Sequence, residues 1–99
     1  MEIKKEQNGT SLTMFLSGRL DTVAAADFEK ELETSLEGVS TLALDCAELV
    51  YVASSGLRAL LMAQKRMNKQ GSMTVRHVQD AVMEVLSMTG FDDLLQIEK

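Results

Sequence analysis

The chain reads as one α/β domain: a mixed β-sheet with helical crossovers, in the order β-β-α-β-α-β-α(-β), spanning residues 1–99. Three observations predict this. Apolar residues alternate along Thr10–Ser17, the period of a strand with one buried face. Apolar stripes at spacings of three and four run along 22–37 and 54–70, the period of amphipathic helices. Short, mostly apolar runs lie between those helices, as strands of a helix-covered parallel sheet do.

Each element follows from its residues. Leu12, Met14 and Leu16 alternate with Ser11, Thr13 and Phe15, and Gly18 is expected to end that strand. Ile3–Glu6 is a candidate partner strand, with Asn8-Gly9 as the hairpin turn. In the helix over 22–37, Phe28, Leu32 and Leu36 form the inner stripe, extended by Val23 or Ala25. Asp21 or Thr22 can cap its start, and Gly38 stops it. Val39–Cys46 reads as a strand buried on both faces. The longest helix covers Ser54–Gln70, with Leu57, Leu60, Leu61, Gln64 and Met67 on one face and Gly71 as its stop. Met73–His77 alternates again as a strand. A short helix over 80–88 turns Val82, Val85 and Leu86 inward and ends at Gly90, and Leu94–Ile97 is a candidate last strand. In such a sheet the working crevice lies beyond the carboxyl ends of the strands. Segments 18–22, 47–55 and 77–80 are therefore expected to meet.

Composition bounds the partners. The net charge is −5 over 99 residues, so the counterion release that drives nucleic-acid binding is missing, which argues against direct DNA or RNA contact. No apolar run approaches the ~20 residues of a membrane span, and Met1–Lys5 lacks the apolar core of a secretory signal. Cys46 is the only cysteine and cannot form an internal disulfide. A reducing interior, most simply a cytoplasm, is the expected location.

The residues that carry chemistry are few. His77 is the only histidine, so any Ser-His-Asp or Cys-His site would have to run through it. Nucleophile-elbow and phosphate-loop motifs do not occur, and a lone His with a lone Cys cannot supply a structural zinc set. No catalytic residue, metal or cofactor is expected. His77 reads as a surface or internally satisfied residue and Cys46 as core. The methionines, including Met62, Met67, Met73, Met83 and Met88, read mainly as gap-filling core residues, with Met62 the exposed exception.

Tyr51-Val52-Ala53-Ser54-Ser55-Gly56-Leu57 is the informative segment, because two serines open a helix directly after a strand and a loop that follows Cys46. Two readings share that geometry. Serine is a favoured N-cap. A phosphate at a helix N-terminus also meets unpaired N–H donors and the positive end of the dipole, so a phosphorylated serine there adds charge without unfolding the domain.

The stretch Leu49–Leu61, with Ser54-Ser55-Gly56-Leu57 at its centre, resembles the signature of the STAS domain, in particular the bacterial anti-sigma factor antagonists of the SpoIIAA type. Leu16-Ser17-Gly18-Arg19-Leu20-Asp21, Leu42-Ala43-Leu44-Asp45 and Met88-Thr89-Gly90-Phe91 are similar to further family segments in the same order. The resemblance implies a domain that binds an anti-sigma factor which is also a serine kinase, and so releases a sigma factor. It implies phosphorylation at Ser54, which ends binding, and a separate phosphatase that reverses it. Asp21 falls on a partner-contact position, and the domain has no catalytic residues of its own. The family commonly has Asp before the phospho-serine; Ala53 here removes that negative charge. A small antagonist of this kind is expected to be a monomer.

The partner-binding set is then Asp21, Ser54, Ser55, Gly56, Arg58, Met62 and Lys65. Arg19 and Arg58 are both expected near the crevice, either as solvated charges or with one paired to phospho-Ser54. Equal stability of the phosphoprotein with and without Arg58→Ala would exclude Arg58. The stripe Arg58, Met62, Lys65, Lys69 reads either as a solvated face or as a docking face for an acidic surface. The alternative function is a non-phosphorylated STAS accessory subunit of a membrane transporter or a signalling scaffold. An enzyme or small-molecule sensor is a third, least supported by the residues.

Overall fold

A computed structural model describes residues 1–98. The strands are β1 (Glu2–Asn8), β2 (Ser11–Leu20), β3 (Thr41–Val52), β4 (Ser72–Arg76) and β5 (Ile97–Glu98). The helices are α1 (Thr22–Ser35), α2 (Ser54–Gln70) and α3 (Asp80–Met88), followed by a 3₁₀ turn at Phe91–Asp93. The five strands pair in sequence order, β1 antiparallel to β2 and all others parallel. This is the mixed sheet with helical crossovers that the periodicity predicts, final strand included.

The hairpin forms, but β1 is longer than Ile3–Glu6 and Asn8 closes it. The two-residue loop is Gly9-Thr10, and Gly9 takes the positive φ of 63° that such tight loops need. Leu12, Met14 and Leu16 of β2, Leu42, Leu44 and Cys46 of β3, and Met73 and Val75 of β4 share one buried face. They join Phe28, Leu32, Leu60, Met67, Val82 and Leu86 of the helices in one core. Crossovers that step across the sheet in one direction with the usual right hand leave their helices on one face. Thr13, Ala43 and Thr74 on the other face are only half-buried. The expectation that β3 is sealed on both faces is corrected accordingly.

β3 also runs six residues beyond Cys46, and β2 does not stop at Gly18. The pairing steps from Phe15↔Asp45 to Ser17↔Glu48, then from Gly18↔Leu49 to Arg19↔Tyr51. Each step inserts one extra residue in β3, a β-bulge. The inward residues therefore follow spacings of two as far as Cys46 and then fall at Leu49 and Val52. Alternation breaks there, so the strand looks finished when read from sequence alone.

Helix α1 ends at Ser35, two residues short of Glu37, with Leu36 buried just beyond it. Ala25, not the 75% exposed Val23, extends its stripe. Leu61 is only half-buried on α2. Met88 is 79% exposed against 44% for Met62, so Met62 is not the lone exposed methionine; Met88 is the last residue of α3, where the chain turns away from the core. The last strand pairs through Ile97 and Glu98 opposite Val75 and Arg76, later than Leu94–Ile97. Among the described residues no helix is long and apolar enough to cross a membrane.

Candidate functional site

The carboxyl ends of β2, β3 and β4 carry two polar junctions rather than one crevice. The first joins the β2–α1 and β3–α2 connections. The Ala53 N–H donates to the Leu20 carbonyl over 2.9 Å. Ser55 Oγ and Thr22 Oγ1 lie 3.3 Å apart, hydroxyl to hydroxyl. Asp21 Oδ1 accepts the Ala24 N–H at 2.9 Å and so caps α1, as one sequence reading expected. Gly56 is buried where α2 crosses the end of β2: a Cβ there would stand 2.7 Å from Leu20 Cγ and 2.9 Å from the Leu20 carbonyl oxygen. The sequence reading places it in the partner-binding set; the structure buries it at the α2–β2 crossing. Gly56 lets the two elements approach and offers no side chain to a partner.

At this junction α2 starts without a side-chain cap. Ala53 holds the N-cap position in extended conformation (φ −84°, ψ 169°), and no side chain accepts the helix's free N–H groups. Ser54 and Ser55 are the first two helical residues, so neither is the cap that one reading proposed. Ser54 is exposed and Ser55 half-buried. The positive end of the helix thus lies open beside an exposed hydroxyl.

From Ser54 the exposed residues Arg58, Met62, Lys65 and Lys69 continue along α2 at helical spacing. Helical side chains lean toward the N-terminus, which directs Arg58 over the turn that holds Ser54. Met62 borders a groove between α1 and α2 with Glu29, Glu33 and Arg66. That groove holds about 50 Å³, too small for a ligand. Arg19 is occupied differently from Arg58: its guanidinium lies 4.0 Å above the Tyr51 ring. The sequence reading did not single out Tyr51, whose position opposite Arg19 follows from the second bulge.

The second junction ties segment 77–80 to the first bulge, away from Ser54. His77 Nδ1–H donates to Asp45 Oδ2 over 2.9 Å. Asp45 Oδ1 accepts the Ala47 N–H at 3.1 Å, and the Gln79 side-chain amide donates to the Ala47 carbonyl at 2.5 Å. His77 adopts a positive φ of 56°, which histidine tolerates better than most residues. Asp45 is 8% exposed. Burial acts to raise its carboxyl. The Ala47 N–H, the His77 hydrogen bond and the His77 and Arg76 charges outweigh burial and hold it below its ordinary value. Burial, with the Asp45 charge beside it, pushes the Cys46 thiol up to about 12, so it stays an unreactive core thiol.

Residues 3–96 match the family model described as Mlab, STAS domain. A Bordetella bronchiseptica protein, BtrV, provisionally named an anti-sigma factor antagonist, is 28% identical over 93 residues, which are 92% of this chain and 80% of BtrV. An anti-sigma factor antagonist from Mycobacterium paratuberculosis superposes with a TM-score of 0.88 at 19% identity, covering 98% of this chain and 84% of that one. Unphosphorylated SpoIIAA, also an anti-sigma factor antagonist, superposes at 0.84 with 18% identity, covering 99% and 89%. The family model covers nearly the whole chain and the bulged β3–α2 junction lies within it: this chain belongs to the STAS domain family and has the fold of its anti-sigma factor antagonists.

Proposed function

We propose that this protein is an anti-sigma factor antagonist switched by phosphorylation of Ser54. It binds an anti-sigma factor that is also a serine kinase, and a sigma factor is released. It works inside the cell as ligand and substrate, as a monomer, and contributes no catalysis. A separate phosphatase restores the binding form.

One observation carries this reading: Ser54 is exposed on the first turn of α2, where no side chain caps the helix. A kinase can reach that hydroxyl without unfolding the domain. The phosphate adds about −1.5 to −2 charge at pH 7 beside free N–H groups that can donate to its oxygens. The surface a partner meets changes while the core does not. The family relationship and the named antagonists among its relatives support the partner class.

The test is intact mass of the full chain after incubation with ATP and each anti-sigma factor kinase of its organism. One added phosphate, lost in Ser54→Ala, is expected. A kinase that binds the protein tightly yet leaves it unmodified would overturn the switch. Co-purification of unmodified protein with a membrane complex would instead favour a transporter accessory.

A further inference from the structure

Resting on the reading that the Ser54 surface meets the partner, we infer that this surface is built for an acidic face of the anti-sigma factor, and that phosphorylation acts there by charge repulsion. The chain carries a net charge of −5, yet the exposed charges that flank Ser54 along α2 are Arg58, Lys65 and Lys69. On the strand side Arg19 lies over Tyr51, three residues before Ser54. None of these four cations is among the ion pairs of the described residues, which are Lys4–Glu2, Lys5–Glu31 and His77–Asp45. Glu29 and Glu33 line the groove that Met62 borders. Arg66, between the two helices, donates to the Leu32 and Glu33 carbonyls. Asp21 is engaged as the cap of α1.

Two exposed apolar groups accompany the cations: Tyr51 at 39% and Met62 at 44%. Aromatic, Met and Arg side chains are the types enriched where interfaces lose water. The second bulge turns both Val50 and Tyr51 outward in succession, which a regular strand would not do. That exposure serves no contact in the core. A partner presenting carboxylates around an apolar centre complements this arrangement. A phosphate placed on Ser54 puts a like charge among the positions those carboxylates occupy, so the antagonist is repelled rather than reshaped.

The test is calorimetric titration of the full chain into each purified anti-sigma factor kinase, with a non-hydrolysable ATP analogue so that Ser54 stays unmodified. Lys65→Glu is expected to weaken binding about tenfold or more at 50 mM NaCl, and the loss should shrink to about threefold at 500 mM as charges are screened. Ser54→Glu should follow the same salt dependence. Arg19→Gln and Tyr51→Ala should each weaken binding with melting temperatures near the parent's. Lys4→Glu, on β1, is the control and should bind normally. A kinase that binds with an affinity indifferent to salt and to Lys65→Glu and Arg58→Glu would overturn this inference while the antagonist reading stands. Binding by no anti-sigma factor kinase would overturn both.

Discussion

The two junctions at the carboxyl ends of the strands are made of similar polar groups, but those groups are used in opposite ways. Around Asp45 they face one another: a carboxylate 8% exposed takes the His77 ring and the Ala47 N–H, and Gln79 takes the Ala47 carbonyl. Around Ser54 the polar groups are left facing outward. The helix start has no side-chain cap, and the hydroxyl and the cations beyond it are exposed. A buried polar group without partners is costly, so the Asp45 junction had to be closed if the bulge was to be kept. The Ser54 junction lies at the surface, where water serves the free groups. Satisfaction marks the junction that holds the fold; its absence marks the one where the proposed switch lies.

Substitutions can break this division or sharpen it. The largest effect is expected at Asp45. Asp45→Ala removes the charged acceptor of the Ala47 N–H and the His77 ring and should cost about 2–3 kcal/mol in urea melts. Its pH dependence has a definite sign. The folded-state carboxyl lies below its ordinary 3.8, so its stabilisation is complete above that value and is lost as pH falls through the lower folded one. Asp45→Asn should therefore flatten the acid limb of the stability curve below about pH 4, and an unchanged limb would mean the latch contributes nothing. Gly56→Ala comes next, and it strains the division because it lies at the open Ser54 junction. The clash with Leu20 should outweigh the helix propensity gained, with a net loss of about 1–2 kcal/mol. A gain in thermal stability would show that α2 can shift away.

Ala53→Asp should work in the other direction. Ala53 already has the extended backbone of an N-cap, and a carboxylate there can take the free N–H groups, adding about 0.5–1 kcal/mol. Failure to stabilise would mean that the helix start is already satisfied. Ser54→Ala should be the smallest of all, within about 0.5 kcal/mol of the parent in denaturant midpoint. A larger loss would place Ser54 in the fold and not only in the switch.

Much of this was readable before any coordinates. Leu12, Met14 and Leu16, and the stripes through Phe28 and Leu32 or Leu57, Leu60 and Met67, repeat over enough residues for the period to identify the element. Around the site, Asp21 as a cap and the helix start after Ala53 were legible from residue type and position. Three things were not. The bulges of β3 destroy the alternation that announces a strand, so residues 47–52 passed for loop. The Asp45–His77 contact joins residues 32 apart in sequence, and neither residue carries a local sign of it. The absence of a cap on α2 was hidden because two good capping residues, Ser54 and Ser55, lie one and two places too late.

By itself, then, the sequence determined the type and order of the elements, the core faces of the helices and the serine pair at the head of α2, because local periodicity and residue chemistry act over a few residues. Tertiary structure alone decided that β3 carries two bulges, that Tyr51 comes to lie opposite Arg19, that Gly56 must remain small against Leu20, and that Asp45 is closed while Ser54 is open. Those outcomes depend on which strand pairs with which and in what register, and register is a balance of packing across the whole sheet that no short stretch of chain contains.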